Sequence, residues 1–149
     1  CVEGGASVSF MWPLARDKAM AFWIDVLDSA RRGERLVLVA EERASGAIVG
    51  TVQVVFAAPE NQPHRADVAK MLVARWARRC GLGAALMQAA ERAAREAGRR
   101  LLVLDTVTDG DAERLYARLG WQRVGVIPHY ALWPNGGLCD TTYFYKTLS

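Results

Sequence analysis

Residues 71–84 of the chain read MLVARWARRCGLGA. The apolar triplet Met71-Leu72-Val73 ends a strand-like segment, and Gly81 and Gly83 open a segment of helical periodicity. The first turn of a helix has four backbone N–H groups without internal partners, and glycines there let an anion approach them. The stretch therefore predicts a strand, a polar turn and a helix whose beginning holds phosphates.

The two glycines alone are a weak signal, because glycines also form ordinary turns. Two other phosphate-binding patterns fail on spacing. A dinucleotide-binding fingerprint would need glycine at position 86, which is Leu86, and no Gly-Lys-Ser/Thr tripeptide of a P-loop occurs in the chain.

Hydrophobic periodicity and turn residues outside this stretch predict nine elements. They are helices over 13–32, 82–97 and 110–119, and strands over 35–41, 47–57, 64–73, 101–104, 121–127 and 141–148. This order predicts an α/β (α+β) class domain over residues 1–149, a mixed sheet with helices on both faces.

Local signals predict where several elements begin and end. Pro13 suits the first turn of the first helix, and Asp109 is expected to cap the helix over 110–119. The strand over 101–104 is expected to end at Asp105. The strand over 121–127 is expected to end at Pro128. The first helix is expected to bury an apolar line formed by Met20, Trp23, Ile24 and Leu27.

Composition narrows the classes of protein. The chain has 149 residues, 52% of them hydrophobic and 23% charged, which is typical of a globular domain. No run approaches the ~18 apolar residues of a membrane span. The three cysteines are far apart and the two histidines lack ligand spacing, so neither a disulfide framework nor a metal site is expected. A reducing cytoplasmic location fits best.

The net charge of +3 does not by itself indicate a nucleic-acid partner. A nucleic-acid binder clusters its cations on one face, whereas most arginines here lie beside Asp or Glu at helical spacing. Only Arg75, Arg78 and Arg79 form a tight basic group, and they lie beside the predicted phosphate site.

Two motifs together resemble the GNAT superfamily of N-acetyltransferases. Arg78-x-x-Gly81-x-Gly83 follows the apolar triplet and is similar to that family's Q/R-x-x-G-x-G/A pattern. Tyr116 lies in a helix that runs into Leu119-Gly120-Trp121, the family's second feature. Segments 4–8, 65–68, 104–106 and 143–148 further resemble the tabtoxin-resistance acetyltransferase group, in which a strand and a helix normally come first. Because this chain begins with Cys1, we expect those two elements to be missing from it.

The resemblance implies acetyl-CoA as the co-substrate, no metal, and transfer of an acetyl group to a small amine, such as a toxin or antibiotic, by direct attack in a ternary complex. The resemblance is compatible with a homodimer, and it implies neither a nucleic-acid partner nor a membrane partner. The residues it assigns to the cofactor are Met71, Leu72, Val73, Arg78, Arg79, Cys80, Gly81, Leu82, Gly83 and Ala84.

Acetyl transfer to an amine needs a base, a donor for the oxyanion and an acid for the leaving thiolate. By resemblance, carboxylates at Asp67 and Asp105 are the candidate bases, a backbone N–H near Leu72 is the donor, and Tyr116 is the acid. Alternatives stay open: Asp67 pairs with Arg65 or Lys70, Asp105 binds backbone N–H groups, and Tyr116 is a core tyrosine.

Three other functions remain as alternatives. They are acetylation of a protein or peptide amine, binding of acyl-CoA without catalysis, and, ranked last, nucleic-acid binding. Acceptor choice is expected to depend on the loops around residues 4–16, 58–64 and 128–139.

Overall fold

A six-stranded mixed sheet carries three α-helices in the computed structural model, which describes residues 1–149. The elements are α1 (Arg16–Arg31), β1 (Arg35–Glu41), β2 (Ile48–Phe56), β3 (Arg65–Val73), α2 (Leu82–Glu96), β4 (Leu101–Val107), α3 (Asp111–Arg118), β5 (Gln122–Leu132) and β6 (Leu138–Thr147). The sheet order is β1-β2-β3-β4-β6-β5, and only the β3–β4 pair is parallel. The predicted class and order of elements are confirmed.

The two faces of the sheet carry different helices. α2 and α3 cover the face that holds the core. α1 lies on the other face, where Arg35 donates hydrogen bonds to Ser29 of α1 at 2.8 Å and to Gln53 of β2 at 2.9 Å. Regular alternation places these two strand residues opposite the core face. The largest fully buried side chains on the core face include Val52, Val54, Met87, Leu102 and Phe144.

The buried face of α1 differs from the predicted one. Met20, Ile24 and Leu27 are about half exposed, whereas Val26 and Ser29 are buried. The predicted apolar line was therefore wrong, because α1 lies on the sheet through the side that carries Ser29 and its polar contacts with β1. The helix also begins at Arg16, so Pro13 lies before it.

β4 and β5 are longer than predicted. β4 continues past Asp105 to Val107, because β6 pairs with it along its whole length. β5 passes through Pro128 and reaches Leu132, with an irregularity in its pairing between Ile127 and Ala131. A proline is tolerated there because β5 is an edge strand and needs no N–H donor on its open side.

The beginning of α3 also differs from the prediction. Gly110 is the N-cap residue, and Asp109 makes no cap. Instead the backbone N–H of Asp109 donates to the Glu113 side chain at 2.5 Å, so the acidic residue within the helix reaches back to the chain before it.

A buried polar cluster ties α2, β6 and the end of α3 together. Glu91 of α2 accepts hydrogen bonds from Lys146 Nζ at 2.8 Å and from the Trp121 indole at 2.9 Å. Lys146 also donates to the backbone oxygen of Leu119 at 2.8 Å. Since a buried charge is tolerated when it is paired and hydrogen-bonded, this cluster holds the C-terminal end of α3 against the sheet.

The parallel strands β3 and β4 separate soon after they meet. Their pairing covers only Arg65, Ala66 and Asp67 against Leu101, Leu102 and Val103. β3 continues to Val73 and β4 to Val107, so the two strands diverge toward their C-terminal ends. The gap between them opens the sheet at its centre.

None of the helices combines the length and apolar character that crossing a lipid bilayer requires.

Candidate active site

A cavity of about 1040 Å³ opens where β3 and β4 diverge. Its volume suits a ligand larger than most drug-sized molecules. Its walls come from residues 6–11, from β3, from the loop before α2, from the ends of β4 and β5, and from α3. Both ends of the chain therefore contribute to one site.

The loop before α2 contributes to the wall of this cavity. The predicted cofactor residues that line it are Met71, Leu72, Val73, Arg78, Arg79, Gly81, Gly83 and Ala84. Cys80 and Leu82 are not among the lining residues. The Cys80 thiol instead donates to the backbone oxygen of Ala77 at 3.0 Å, and Leu82 packs against the core.

The beginning of α2 is shaped for an anion. Gly81 is the N-cap with φ of 83° and no side-chain cap, so the N–H groups of the first turn have no side-chain partner. A Cβ on Gly83 would lie 3.2 Å from Leu115 Cδ2, a tight contact that requires the leucine side chain to shift by a few tenths of an ångström. Arg78 and Arg79 add positive charge at the same edge.

β3 is irregular where it borders the cavity. Thr51 pairs with Leu72 and Gln53 with Ala69, so three steps on β3 face two on β2. Lys70 sits in this bulge with φ of 50°, a left-handed conformation that a lysine rarely adopts. The bulge interrupts the predicted alternation along the strand.

Tyr116 of α3 lies at the floor of the cavity. Its side chain is 5% exposed, and its ring packs edge-on against Phe144 at 6.0 Å and tilted against Trp121 at 6.1 Å. The hydroxyl has no hydrogen-bond partner within the protein. Burial, and secondarily the negative charge of Asp105, raise the pKa of Tyr116 to about 12. The hydroxyl therefore stays protonated at neutral pH and is a weaker acid than the unperturbed value near 10 suggested.

The two candidate bases occupy different positions. Asp105 lines the cavity and makes no ion pair, and desolvation there raises the pKa of its carboxyl, while Lys70 opposes the rise. Asp67 does not line the cavity, and its carboxylate accepts a hydrogen bond from Arg65 at 2.7 Å. The geometry brings Asp105 and Tyr116 together and leaves Asp67 in the alternative role that its sequence neighbours indicated.

One lining residue, Lys70, was given no role in the site from the sequence, and it is hydrogen-bonded to Ser9 at 2.8 Å. Ser9 and Tyr130, in loops expected to shape the acceptor site, also line the cavity, and the Tyr130 hydroxyl lies 2.8 Å from that of Tyr143. Of the loops expected to shape the acceptor site, residues 6–11 and 130–133 line the cavity, and residues 58–64 do not. A residue such as Lys70 lacks a sequence signal because its position depends on the bulge.

No group of three or more His, Cys, Asp or Glu side chains is placed to hold a metal ion. All three cysteines are free, with Cys139 buried.

Known proteins resemble the chain in sequence and in fold. A protein of Azospirillum brasilense, described as an uncharacterized N-acetyltransferase in the hisH-hisA intergenic region, is 37% identical over 106 residues, which cover 70% of this chain and 60% of that protein. The match thus spans less than two thirds of that relative's length.

Two solved structures share the fold. A ribosomal-protein-alanine N-acetyltransferase from Brucella melitensis superposes with a TM-score of 0.77 and 24% identity, over 99% of this chain and 87% of the other. A GNAT superfamily phosphinothricin acetyltransferase from Sinorhizobium meliloti, in complex with acetyl-CoA, gives a TM-score of 0.74 and 18% identity, over 85% and 69%.

The family model of the GNAT acetyltransferases matches residues 7–121, a range that includes β3, the loop before α2 and the helix that carries Tyr116. The chain therefore belongs to the acetyltransferase (GNAT) family.

Proposed function

We propose that the protein is an acetyl-CoA-dependent N-acetyltransferase that acetylates the amine of a small molecule. One observation carries the proposal: a single cavity is lined by the uncapped beginning of α2 and by the side chains of Asp105 and Tyr116. The resemblance to the tabtoxin-resistance group favours a toxin or an antibiotic as the acceptor.

The residues around the loop fit the co-substrate. The uncapped N–H groups of α2 and the side chains of Arg78 and Arg79 would hold its phosphates. Gly83 leaves the backbone open at the point where a side chain would fill the space beside Leu115. Residues 71–73, at the free edge of β3, would pair with the amide groups of the pantetheine arm. Acetyl-CoA supplies the acetyl group as a reactive thioester.

The remaining residues supply acid–base chemistry. Asp105 takes a proton from the acceptor's ammonium group, directly or through a water, since its raised pKa makes it a stronger base than an ordinary aspartate. A backbone N–H near Leu72, on the open edge of β3, donates to the oxyanion. Tyr116 donates its proton to the leaving sulfur, because its hydroxyl has no competing partner. The acceptor's electron pair forms the new C–N bond as the C–S bond of the thioester breaks. The second proton that the nitrogen loses returns to the Tyr116 oxygen, directly or through water, and the proton on Asp105 passes to solvent.

Calorimetry with acetyl-CoA tests the cofactor half. Gly83→Asp puts a negative charge beside the phosphates, where like charges a few ångströms apart repel by ~1–4 kcal/mol, so we expect affinity to fall at least about 5-fold. Gly83→Ala separates the added volume from the charge. Gly125→Asp is the matched control, since nothing lies within 4 Å of a Cβ there. Equal affinity in folded Gly83→Asp would overturn the phosphate assignment.

Release of free thiol from acetyl-CoA, measured against a panel of amines, tests the catalytic half. A catalytically silent binding module would bind acetyl-CoA and release no thiol with any amine. Acetylation of peptide amines in preference to small amines would favour the protein-modifying alternative.

A further inference from the structure

Seven charged side chains line the cavity, and five of them belong to the loop before α2 and to α3. These five are Arg78, Arg79, Asp111, Arg114 and Arg118. The remaining two, Lys70 and Asp105, lie on the two strands that diverge. The diverging strands therefore contribute one cationic and one anionic side chain to the cavity.

The ammonium group of Lys70 has no counter-ion in the protein. It donates a hydrogen bond to the neutral hydroxyl of Ser9 at 2.8 Å and lies 5.9 Å from the centre of the Phe22 ring. It forms no ion pair with Asp105, although each charge acts on the other. Lys70 is half-buried and Asp105 is exposed to the cavity, and neither side chain forms an ion pair within the protein. They are therefore two opposite charges that each lack a partner, and a half-buried charge such as that of Lys70 is normally paired.

The bulge of β3 determines where Lys70 points. Regular alternation would place Lys70 on the same face as Val68, beneath α2. Its contacts with Ser9 and with Phe22 of α1 place it instead on the opposite face, the face of Asp105. A bulge re-aims a side chain in this way, and a lysine with φ of 50° is backbone strain of the kind found at functional sites.

We infer that Lys70 is a specificity-determining residue that binds an acid group on the acceptor. The acceptor class is then an amine that also carries a carboxylate or a similar acid, such as an amino acid or an amino acid analogue. Asp105 faces the ammonium group and Lys70 the acid, so a zwitterion neutralises both unpaired charges. This inference rests on the proposed function and narrows its substrate.

A purely structural Lys70 is the competing explanation. In that case its bond to Ser9 would serve only to hold residues 6–11 against the sheet. Loss of the side chain would then weaken the site for every amine alike, with or without an acid group. The two explanations therefore differ in what loss of the Lys70 side chain does to the ratio of kcat/KM between matched acceptors. They do not differ in whether the absolute rate falls.

The experiment compares amino acids with the amines that result from removal of their carboxyl group, such as phenylalanine with phenethylamine and methionine with 3-(methylthio)propylamine. Thiol release gives kcat/KM for each member at saturating acetyl-CoA. We expect the acid-bearing member of the preferred pair to be favoured. Lys70→Met should reduce the ratio of kcat/KM between the two members about 10- to 100-fold, the range for a charge-assisted hydrogen bond. Lys70→Arg keeps the positive charge and should retain part of that ratio. Lys18→Met, an exposed lysine on α1, is the control.

Each result bears on one conclusion. Equal kcat/KM within every pair, or an equal fall for both members in Lys70→Met, overturns the role of Lys70 and leaves the proposed function standing. Turnover of peptide amines alone also overturns the substrate class. The substrate class is overturned as well if none of the acid-bearing amines supports thiol release. Failure of the wild-type protein to bind acetyl-CoA in calorimetry overturns the proposed function itself.

Discussion

Tyr116→Phe removes one hydroxyl from the floor of the cavity and keeps the ring. The ring packs against Phe144 and Trp121, and both contacts remain in the variant. Because the hydroxyl has no hydrogen-bond partner within the protein, its loss should change the free energy of unfolding by less than about 1 kcal/mol.

The expected loss of activity follows from the pKa of Tyr116. A pKa of about 12 makes the hydroxyl about 3.7 pKa units more acidic than water at ~15.7. With a Brønsted coefficient of ~0.5, replacing Tyr116 by a water as the proton donor slows thiolate protonation about 10²-fold. This value lies at the lower end of the ~10²–10⁴ range of general acid catalysis, because burial weakens the acid.

Steady-state kinetics with a working acceptor measures the effect. We expect kcat and kcat/KM to fall together by about 10²-fold, since the interaction exists only in the transition state. Tyr145→Phe is the control: its hydroxyl bonds to Gln122 and does not line the cavity. A kcat within about twofold of wild type in folded Tyr116→Phe would show that this tyrosine only packs.

Three further outcomes are expected. Asp105→Asn should raise Tm at pH 7: the folded-state pKa of Asp105 lies above its ordinary value, so this group favours the folded state below about pH 3.8 and loses that contribution as pH rises through the folded-state pKa. The gain should vanish in melts below that pH, and an equal gain at every pH would contradict the argument. Glu91→Leu leaves Lys146 without its partner and should cost about 3 kcal/mol by denaturant unfolding, because the two side chains are only 11% and 22% exposed. Adding Lys146→Met should recover most of that loss, and additive losses would show that the two charges do not interact. Thiol release should continue in EDTA, because the proposed mechanism polarises the carbonyl through a backbone N–H and needs no metal ion. Activity that chelation abolishes and zinc restores would refute this.

Local chemistry explains what could be predicted from the sequence. The loop with Gly81 and Gly83 was predicted because a strand, a turn and a helix beginning follow one another within 14 residues. Tyr116 was found through its neighbours in one helix turn, and the cavity brings it close to Asp105. The elements that were predicted correctly depend on residues that are adjacent in the chain, and the roles of the loop and of Tyr116 stay predictions.

The parts that were missed depend on pairing between distant residues. Lys70 enters the cavity because the register of β2 against β3 creates a bulge, and no local pattern encodes that register. Pro128 lies within a strand because β5 is at an edge of the sheet, which only the strand order reveals. The face of α1 that is buried was missed for the same reason, since its contacts with β1 involve polar residues rather than an apolar line.

The short pairing of β3 with β4 makes the backbone itself a reporter of occupancy. Beyond Asp67 no residue of β3 pairs with β4, whereas Val68, Ala69, Leu72 and Val73 pair with β2. In deuterium exchange the unpaired amides should label rapidly in the empty protein, next to slowly labelling neighbours in the same strand. A ligand that pairs with this edge would slow them selectively, so one peptide spanning residues 68–73 records both where the ligand binds and how long it stays.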